Sequence, residues 1–357
     1  MDCSISNISL EWKSYVGGGG EYTPIVADYK VFIHTWNGKV YALDMENGEI
    51  LWERNIRRHK VFQSPWWGHT LISSPAYSEG RLFVGSDDGW VYCLDAENGD
   101  ILWEKQIGFS LMGCYGSVTL KGDKVFIGNG DSWFWGSKSL PGFLYALDIN
   151  TGRVIWKKFF IGGGVGNAPA VDNGMVFVST LDHNIYAFNA SNGELIWRYQ
   201  LLGQSWCSPS VSNGKVFIGD MSGRVYALRE EDGELLWMFK AGEWLCCSTP
   251  TIHNGRVYFG VYLGDRYPYG ALYCLDESTG EELWCFKHSH ICPPPVIGDN
   301  IVFFGSHDGC FYGLNGETGE IIWKYRTRGV AQTEGAIVGN HLFLGSNDGW
   351  IYCFNLS

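Results

Sequence analysis

Short runs of alternating apolar and polar residues, separated by turn residues, follow one another along most of the chain. In residues 208–239 the runs read SPSVS, VFIGD, VYALR and ELLWMF, with NGK, MSGR and EEDG between them. Asn213-Gly214 and Asp232-Gly233 favour the left-handed backbone that tight hairpins require. The pattern predicts a meander of four short antiparallel strands, with almost no helix.

The predicted meander recurs along the chain with a fixed aromatic pair, a tyrosine followed eleven positions later by a tryptophan. Seven complete pairs are present: Tyr41/Trp52, Tyr92/Trp103, Tyr145/Trp156, Tyr186/Trp197, Tyr226/Trp237, Tyr273/Trp284 and Tyr312/Trp323. Successive tyrosines, counted to Tyr352, are 51, 53, 41, 40, 47, 39 and 40 residues apart. This spacing fits a four-stranded propeller blade better than a solenoid coil.

An eighth unit is divided between the two ends of the chain. Trp12 has no tyrosine before it, and Tyr352 has no tryptophan after it. We therefore predict an all-β fold in residues 1–357: a single eight-bladed propeller of four-stranded antiparallel blades. Its last blade combines residues of about 330–357 with the strand at 8–15, which closes the ring.

The repeat tryptophans are interpreted as structural wedges between neighbouring blades. They are Trp12, Trp52, Trp103, Trp156, Trp197, Trp237, Trp284 and Trp323. A glycine precedes most of them by four positions and permits the preceding turn. Asp44, Asp95, Asp148 and Asp276 are expected to cap that turn with side-chain hydrogen bonds.

Three connections are much longer than their counterparts in other units. They lie at 53–74, 129–143 and 261–271, and propeller strand order places all three on one face. They carry the aromatic residues Trp66, Trp67, Trp133, Trp135 and Tyr267. Loop variation on one side of a regular scaffold is typical of a binding surface, although these side chains also suit a lid packed over the blades.

Cysteines concentrate just before the predicted innermost strands, at Cys114, Cys207, Cys246, Cys247 and Cys292. Two interpretations stay open: small apolar filling near the axis, or a metal site that includes His288 or His290. Charged candidates at the same channel mouth include Arg328 and Glu334. No motif of a Ser/His/Asp triad, a phosphate loop or a zinc protease is found.

The strings YALDMENGEILW, YCLDAENGDILW, YALDINTGRVIW and YCLDESTGEELW resemble the tryptophan-docking repeat of the PQQ-like propeller superfamily. This superfamily includes quinoprotein alcohol dehydrogenases, which bind pyrroloquinoline quinone (PQQ) and calcium. It also includes quinone-free proteins, such as a bacterial scaffold lipoprotein of outer-membrane assembly. The resemblance implies that adjacent cysteines such as Cys246-Cys247, with Trp206 or Trp244 nearby, would flank a quinone if this chain bound one.

Charge and terminal sequence narrow the classes of partner. Lysine and arginine total 26 against 38 aspartates and glutamates, a formal net charge of −12, which opposes nucleic-acid binding. No apolar run is long enough to span a membrane, and the first residues lack a basic start followed by an apolar core. We expect a cytoplasmic monomer, with an extracytoplasmic location left open if a leader peptide precedes this sequence.

Two functions are compared. The first is a non-enzymatic scaffold without a cofactor, which binds a protein, peptide or small ligand on the face of the 53–74, 129–143 and 261–271 connections. The alternative is a PQQ-dependent oxidoreductase with calcium, its cofactor at the channel mouth near Cys246-Cys247.

Overall fold

The structure is a computed structural model. It describes residues 8–17, 23–35, 37–56, 73–86, 88–108, 116–130, 142–242, 248–262, 270–288, 291, 293–331 and 334–356. Within these ranges all regular structure is β-strand, so none of them contains a helix long and apolar enough to cross a lipid bilayer.

The strands form four-stranded antiparallel sheets, here called blades 1 to 8. From the axis outwards, blade 1 consists of β2 (Ile25–Ala27), β3 (Lys30–His34), β4 (Lys39–Asp44) and β5 (Ile50–Asn55), and blade 2 of β6 (Ala76–Ser78), β7 (Arg81–Gly85), β8 (Trp90–Asp95) and β9 (Ile101–Gln106). Blade 3 consists of β10 (Thr119–Lys121), β11 (Lys124–Asn129), β12 (Gly142–Asp148) and β13 (Val154–Phe160), and blade 4 of β14 (Ala170–Asp172), β15 (Met175–Thr180), β16 (Asn184–Asn189) and β17 (Leu195–Gln200). Blade 5 consists of β18 (Ser210–Ser212), β19 (Lys215–Gly219), β20 (Arg224–Arg229) and β21 (Leu235–Lys240), and blade 6 of β22 (Thr251–His253), β23 (Arg256–Tyr262), β24 (Gly270–Asp276) and β25 (Glu282–His288). Blade 7 consists of β26 (Val296–Gly298), β27 (Ile301–Ser306), β28 (Cys310–Asn315) and β29 (Ile321–Arg326), and blade 8 of β30 (Ala336–Val338), β31 (His341–Gly345), β32 (Trp350–Asn355) and β1 (Ser9–Tyr15).

The two ends of the chain meet in blade 8. Strand β1 pairs antiparallel with β32, from Ser9 opposite Asn355 to Tyr15 opposite Trp350. The N-terminal strand therefore supplies the outermost strand of the C-terminal blade. The predicted eight-bladed all-β propeller and its closure by the chain ends are both confirmed.

Each repeat tryptophan lies between its own blade and the next one. Its ring packs at 5.7–6.1 Å from an aromatic ring on the second strand of its own blade, as in the pair Phe177 and Trp197. In seven blades its Nε1 donates, over 2.8–3.1 Å, to a backbone carbonyl of the following blade, as from Trp197 to Glu230 O. The tryptophans thus combine apolar burial with a hydrogen bond that fixes the position of the next blade.

The repeat glycine has a second role that the turn alone does not reveal. Gly233 has a φ of +74°, and a Cβ atom built on it would lie 2.6 Å from Cε3 of Trp197 in the preceding blade. Similar contacts bring the equivalent glycines of six other blades against a tryptophan. Glycine is therefore required both for the left-handed backbone and for close packing under the indole.

The predicted aspartate caps are present. Asp44 Oδ1 accepts hydrogen bonds from Glu46 N at 2.9 Å and Asn47 N at 3.0 Å. The same pair of bonds, between 2.8 and 3.2 Å, is made by Asp95, Asp148 and Asp276. These bonds satisfy backbone donors that the turn leaves without a strand partner.

Candidate functional site

The connections from each outermost strand to the next innermost strand lie on the same face as the turns between second and third strands. Where described, these segments are hydrogen-bonded to one another. Gly203 N donates to Asp220 Oδ2 at 2.9 Å, and Met221 N donates to Gln204 O at 2.7 Å. We call this side the upper face; the sequence predicts that the three long connections lie on it, although most of their residues are outside the described ranges.

Buried polar networks support the upper face. Asp220 is fully buried, and its Oδ2 also accepts a 2.7 Å hydrogen bond from the repeat tyrosine Tyr226. Burial raises the pKa of Tyr226, and the bond to Asp220 raises it further. Three other blades repeat the Tyr–Asp bond, at Tyr186, Tyr312 and Tyr352. These aspartates serve the scaffold, since their oxygens are occupied within the turn.

A cavity of about 620 Å³ follows the axis of the propeller. One residue of each blade, placed two positions before the inner strand, lines it. These eight residues, here called the axial ring, are Thr23, Ser74, Ser117, Ala168, Ser208, Thr249, Pro294 and Glu334. Five of them carry a hydroxyl and one a carboxyl group. The axis of the protein is therefore lined with polar groups near its upper end.

Hydrogen bonds between blades hold the axial ring. Ser208 Oγ accepts from Ala168 N at 3.0 Å, and Thr249 Oγ1 accepts from Ser208 N at 3.2 Å. Ser117 Oγ accepts from Ser74 N at 3.1 Å in the same way. Each of these hydroxyl oxygens satisfies a backbone donor of the preceding blade, which fixes the hydroxyl groups around the channel.

Glu334 supplies the carboxyl group of the axial ring. Its Oε2 accepts a hydrogen bond from Thr23 Oγ1 of blade 1. Burial raises the pKa of Glu334, and the bond from Thr23 lowers it by less. Glu334 is thus a carboxyl group held in a surrounding that disfavours its charge.

The described site candidates do not form one cluster. Glu334 lies on the channel wall, as expected for the channel mouth. Trp206 is half-buried near Gly166 of the preceding connection, where a built Cβ would lie 3.4 Å from its Cζ3. Arg328 is exposed, and its backbone N donates to Asp348 Oδ2 at 3.1 Å. The candidates Trp66, Trp67, Trp133, Trp135, Trp244, Cys246, Cys247 and Tyr267 lie outside the described residues.

Among the predicted metal-site candidates, Cys207 and His288 are in the described part of the chain, and both contact residues of the propeller scaffold. Cys207 is 6% exposed, and its carbonyl oxygen accepts a hydrogen bond from Ser179 Oγ at 2.9 Å. Nε2 of His288 lies 2.9 Å from the hydroxyl of Tyr312. In the described ranges no three His, Cys, Asp or Glu side chains converge in a way that could hold a metal ion.

The described channel wall lacks the ligands that calcium beside a quinone would need. Calcium prefers six to eight oxygen ligands and several carboxylates. Among the described lining residues the axial cavity offers one carboxyl group, Glu334, together with hydroxyl groups. This donor set does not fit a calcium site. The adjacent cysteines proposed to flank the quinone, Cys246 and Cys247, are outside the described residues.

The hydroxyl groups of the axial ring were missed in the sequence. Thr23, Ser74, Ser208 and Thr249 each directly precede a proline that enters an inner strand. That dipeptide is the signal that could have identified them, because it recurs at the same place in four of the repeats.

Curated proteins of two kinds are similar to this chain. The outer membrane protein assembly factor BamB of Yersinia pestis is 28% identical over 188 residues, which is 53% of this chain. The dehydrogenase subunit of the quinone alcohol dehydrogenase of Komagataeibacter europaeus is also 28% identical, over 179 residues or 46% of this chain. The chain spans 45% of the length of the first relative and 23% of the second.

A solved structure extends the similarity of fold to nearly the whole chain. The crystal structure of BamB from Moraxella catarrhalis matches with a TM-score of 0.75 and covers 98% of this chain and 97% of that one. Its sequence identity of 20% makes this a likeness of fold alone.

The expected cytoplasmic location is wrong. The relatives from Yersinia pestis, Moranella endobia and Legionella pneumophila are outer membrane protein assembly factors, which points outside the cytoplasm. The prediction rested on the composition of the first residues of the sequence, which does not determine the location of the protein.

One family model accounts for most of the repeats. The model described as outer membrane protein assembly factor BamB matches residues 37–140, 116–206, 202–267 and 260–357. These matches include the seven complete Tyr/Trp pairs, and they confirm the resemblance to PQQ-like propellers. The chain therefore belongs to the family of the outer membrane protein assembly factor BamB.

Proposed function

We propose that the chain is a non-enzymatic scaffold that binds a protein partner through the upper face of its propeller, outside the cytoplasm. Membership of the BamB family and the role of its relatives in outer membrane protein assembly support this proposal. The complete ring, in which residues of both ends share blade 8, supplies a rigid support for such a surface.

The observation that carries the proposal is a pair of exposed apolar residues on the upper rim. Ile161 in blade 3 and Leu202 in blade 4 both stand five positions after a repeat tryptophan, and they are 83% and 63% exposed. At this position blades 2, 5 and 8 have a glycine, and blade 7 has Arg328. Large apolar side chains are thus presented on two adjacent blades, which suits a protein contact.

A third apolar residue lies close to this rim. Phe159, near the end of β13, is 55% exposed. We infer that the partner presents apolar side chains to these residues.

Site-specific cross-linking tests this proposal. A photoreactive phenylalanine analogue is placed at Ile161 or Leu202 and, as a matched control, at Leu51, an apolar residue 47% exposed on an outer strand. Irradiation in the native cell envelope should attach the same protein at positions 161 and 202 and not at 51. Adducts common to all three positions, or none at either rim position, would refute the assignment.

Location is tested separately. The full-length gene product should fractionate with the cell envelope, and a protease added to spheroplasts should degrade it. Protection of the chain in intact spheroplasts, alongside a protected cytoplasmic marker, would contradict an extracytoplasmic scaffold.

The alternative of a quinone-dependent oxidoreductase is favoured by one observation, the 28% identity with the quinone alcohol dehydrogenase subunit. Adding PQQ and calcium should then change the cofactor's absorbance and support reduction of a dye by alcohols. Serine in place of Cys246 and Cys247 should weaken both effects. No absorbance change at micromolar cofactor removes this alternative.

A further inference from the structure

The wall of the axial cavity changes character along its length. The axial ring near the upper end is polar, whereas the inner strands below it contribute apolar side chains such as Ile25, Val26 and Leu120. A volume of about 620 Å³ lies within the range of small-molecule sites. The cavity thus joins a polar end to an apolar channel, which suits an amphiphilic molecule more than an inorganic ion.

Three consecutive blades place hydrogen-bond acceptors side by side at the polar end. Glu334 belongs to blade 8, Thr23 to blade 1 and Ser74 to blade 2. The hydroxyl of Thr23 donates to Glu334, so its oxygen keeps lone pairs for another donor. Ser74 adds a second hydroxyl oxygen on the cavity wall. The carboxyl group of Glu334 and the hydroxyl of Thr23 are thus in direct contact, and Ser74 occupies the equivalent position of the next blade.

No cationic side chain balances this carboxyl group within the described part of the cavity. The lining residues include neither lysine, arginine nor histidine. Tyr77 is the other titratable group on the wall, and its hydroxyl donates to Asp28 near the opposite face. Glu334 is partly buried, and no positive charge is present among the described lining residues, so an incoming cation would gain from pairing with its carboxylate.

We propose that the axial cavity binds a small primary alkylammonium ion, with its ammonium group on Glu334, Thr23 and Ser74 and its alkyl chain along the apolar wall below. An ammonium group carries three N–H donors, which equals the number of acceptor residues in this sector. Its positive charge pairs with the carboxylate, and the alkyl chain covers Ile25 and the neighbouring apolar side chains.

Other cations fit less well. Calcium would need more carboxylates than the described wall provides. A sodium ion would leave the apolar wall in contact with water. A quaternary ammonium ion has no N–H donors for the hydroxyl groups. The combination of one carboxyl group, hydroxyl oxygens and an apolar continuation therefore selects a primary amine.

Binding of the alkylammonium ion should depend on pH through the charge of Glu334. Burial raises its pKa, and an ammonium group beside it would lower the pKa again. Binding should therefore weaken as the pH falls through the pKa of Glu334, because the protonated carboxyl group no longer pairs with the cation. Tyr77 stays protonated in this range, since burial and its bond to Asp28 raise its pKa.

Nuclear magnetic resonance tests the proposal on the whole chain. Glutamate side-chain carboxyls are labelled with ¹³C, and n-butylammonium chloride is added at constant ionic strength. The Glu334 resonance, assigned by its absence from Glu334→Gln, should shift and saturate. Sodium chloride and n-butanol serve as probes with only the charge or only the alkyl chain, and neither should reproduce the shift.

Calorimetry of the variants completes the test. Glu334→Gln preserves the shape of the side chain and should weaken n-butylammonium binding about tenfold or more, since a charged partner is lost. Glu97→Gln alters a side chain that is 79% exposed and should bind as the unmodified protein does. Equal binding by Glu334→Gln, an equal response to sodium, or no shift in the unmodified protein would overturn the proposal. Circular dichroism confirms the fold of each variant.

Discussion

Replacing Gly233 by alanine probes the packing between blades 4 and 5. The added Cβ would lie 2.6 Å from Cε3 of Trp197, and the backbone would keep a φ of +74°. Gly214 in blade 5 has a nearly equal φ of +70°, but a Cβ there would meet no atom within 4 Å. Gly214→Ala therefore measures the cost of the backbone conformation alone.

The two variants differ by the contact with the indole. An alanine in the left-handed region costs about 1–2 kcal/mol, which is the expected loss for Gly214→Ala. Crowding of a packed interior adds about 1–3 kcal/mol, so Gly233→Ala should lose about 2–5 kcal/mol of the free energy of unfolding. Urea unfolding followed by circular dichroism measures both losses under the same conditions.

A third variant identifies the indole as the cause. Trp197→Phe removes part of the ring system that faces Gly233, so alanine at 233 should cost less in that background than in the unmodified protein. Equal losses for Gly233→Ala and Gly214→Ala would refute the packing argument, and so would a cost that does not change when Trp197 is replaced.

Three further predictions concern buried polar groups. Tyr226→Phe should lower the free energy of unfolding by about 1–3 kcal/mol, because buried Asp220 loses a 2.7 Å hydrogen bond. Lys215→Met should cost about 3–5 kcal/mol, because Glu277, whose side chain is 4% exposed, loses its 3.0 Å ion pair. Because burial raises the pKa of Glu334, the folded chain binds its proton more tightly, so stability should fall as the pH rises from the unfolded to the folded pKa. Glu334→Gln should abolish that fall, as measured by denaturation across pH.

Exposed counterparts serve as controls for these variants. Tyr29→Phe changes a residue that is 76% exposed, and it should have little effect on stability. Lys30→Met breaks a 2.7 Å ion pair with Glu97, which is 79% exposed, and should cost at most about 1 kcal/mol. Equal losses of stability for Lys30→Met and Lys215→Met would show that burial does not determine how much these ion pairs contribute to the free energy of unfolding. If the stability of Glu334→Gln varied with pH in parallel with that of the unmodified chain, a group other than Glu334 would be responsible for the titration.

The blades could be predicted from the sequence because their signals are local. Each Tyr/Trp pair and each glycine turn falls within a dozen residues, and the division of the eighth unit between Trp12 and Tyr352 indicated the closure. The strand pairing of β1 with β32 agrees with that division. Local hairpin chemistry thus determined most of the fold.

The axial ring could not be predicted in the same way. Ser74 and Ser208 are ordinary hydroxyl residues before a proline, and they belong to units that are far apart in the chain. Only the curvature of the complete ring brings them to one cavity. Arg328 was expected near that cavity, but it follows Trp323 closely and therefore remains at the outer end of its connection. Distance along a connection, and not the residue type, decides which side chains reach the axis.

The shared blade 8 has a consequence for the synthesis of the protein. Strand β1 is synthesised before every other strand of the propeller described here, and its pairing partner β32 is synthesised after them. Until then β1 has no native neighbour, and a prematurely ended chain would present open edges that invite aggregation or proteolysis. Because β1 and β32 share one sheet, only a polypeptide that contains both strands can close the circle of blades.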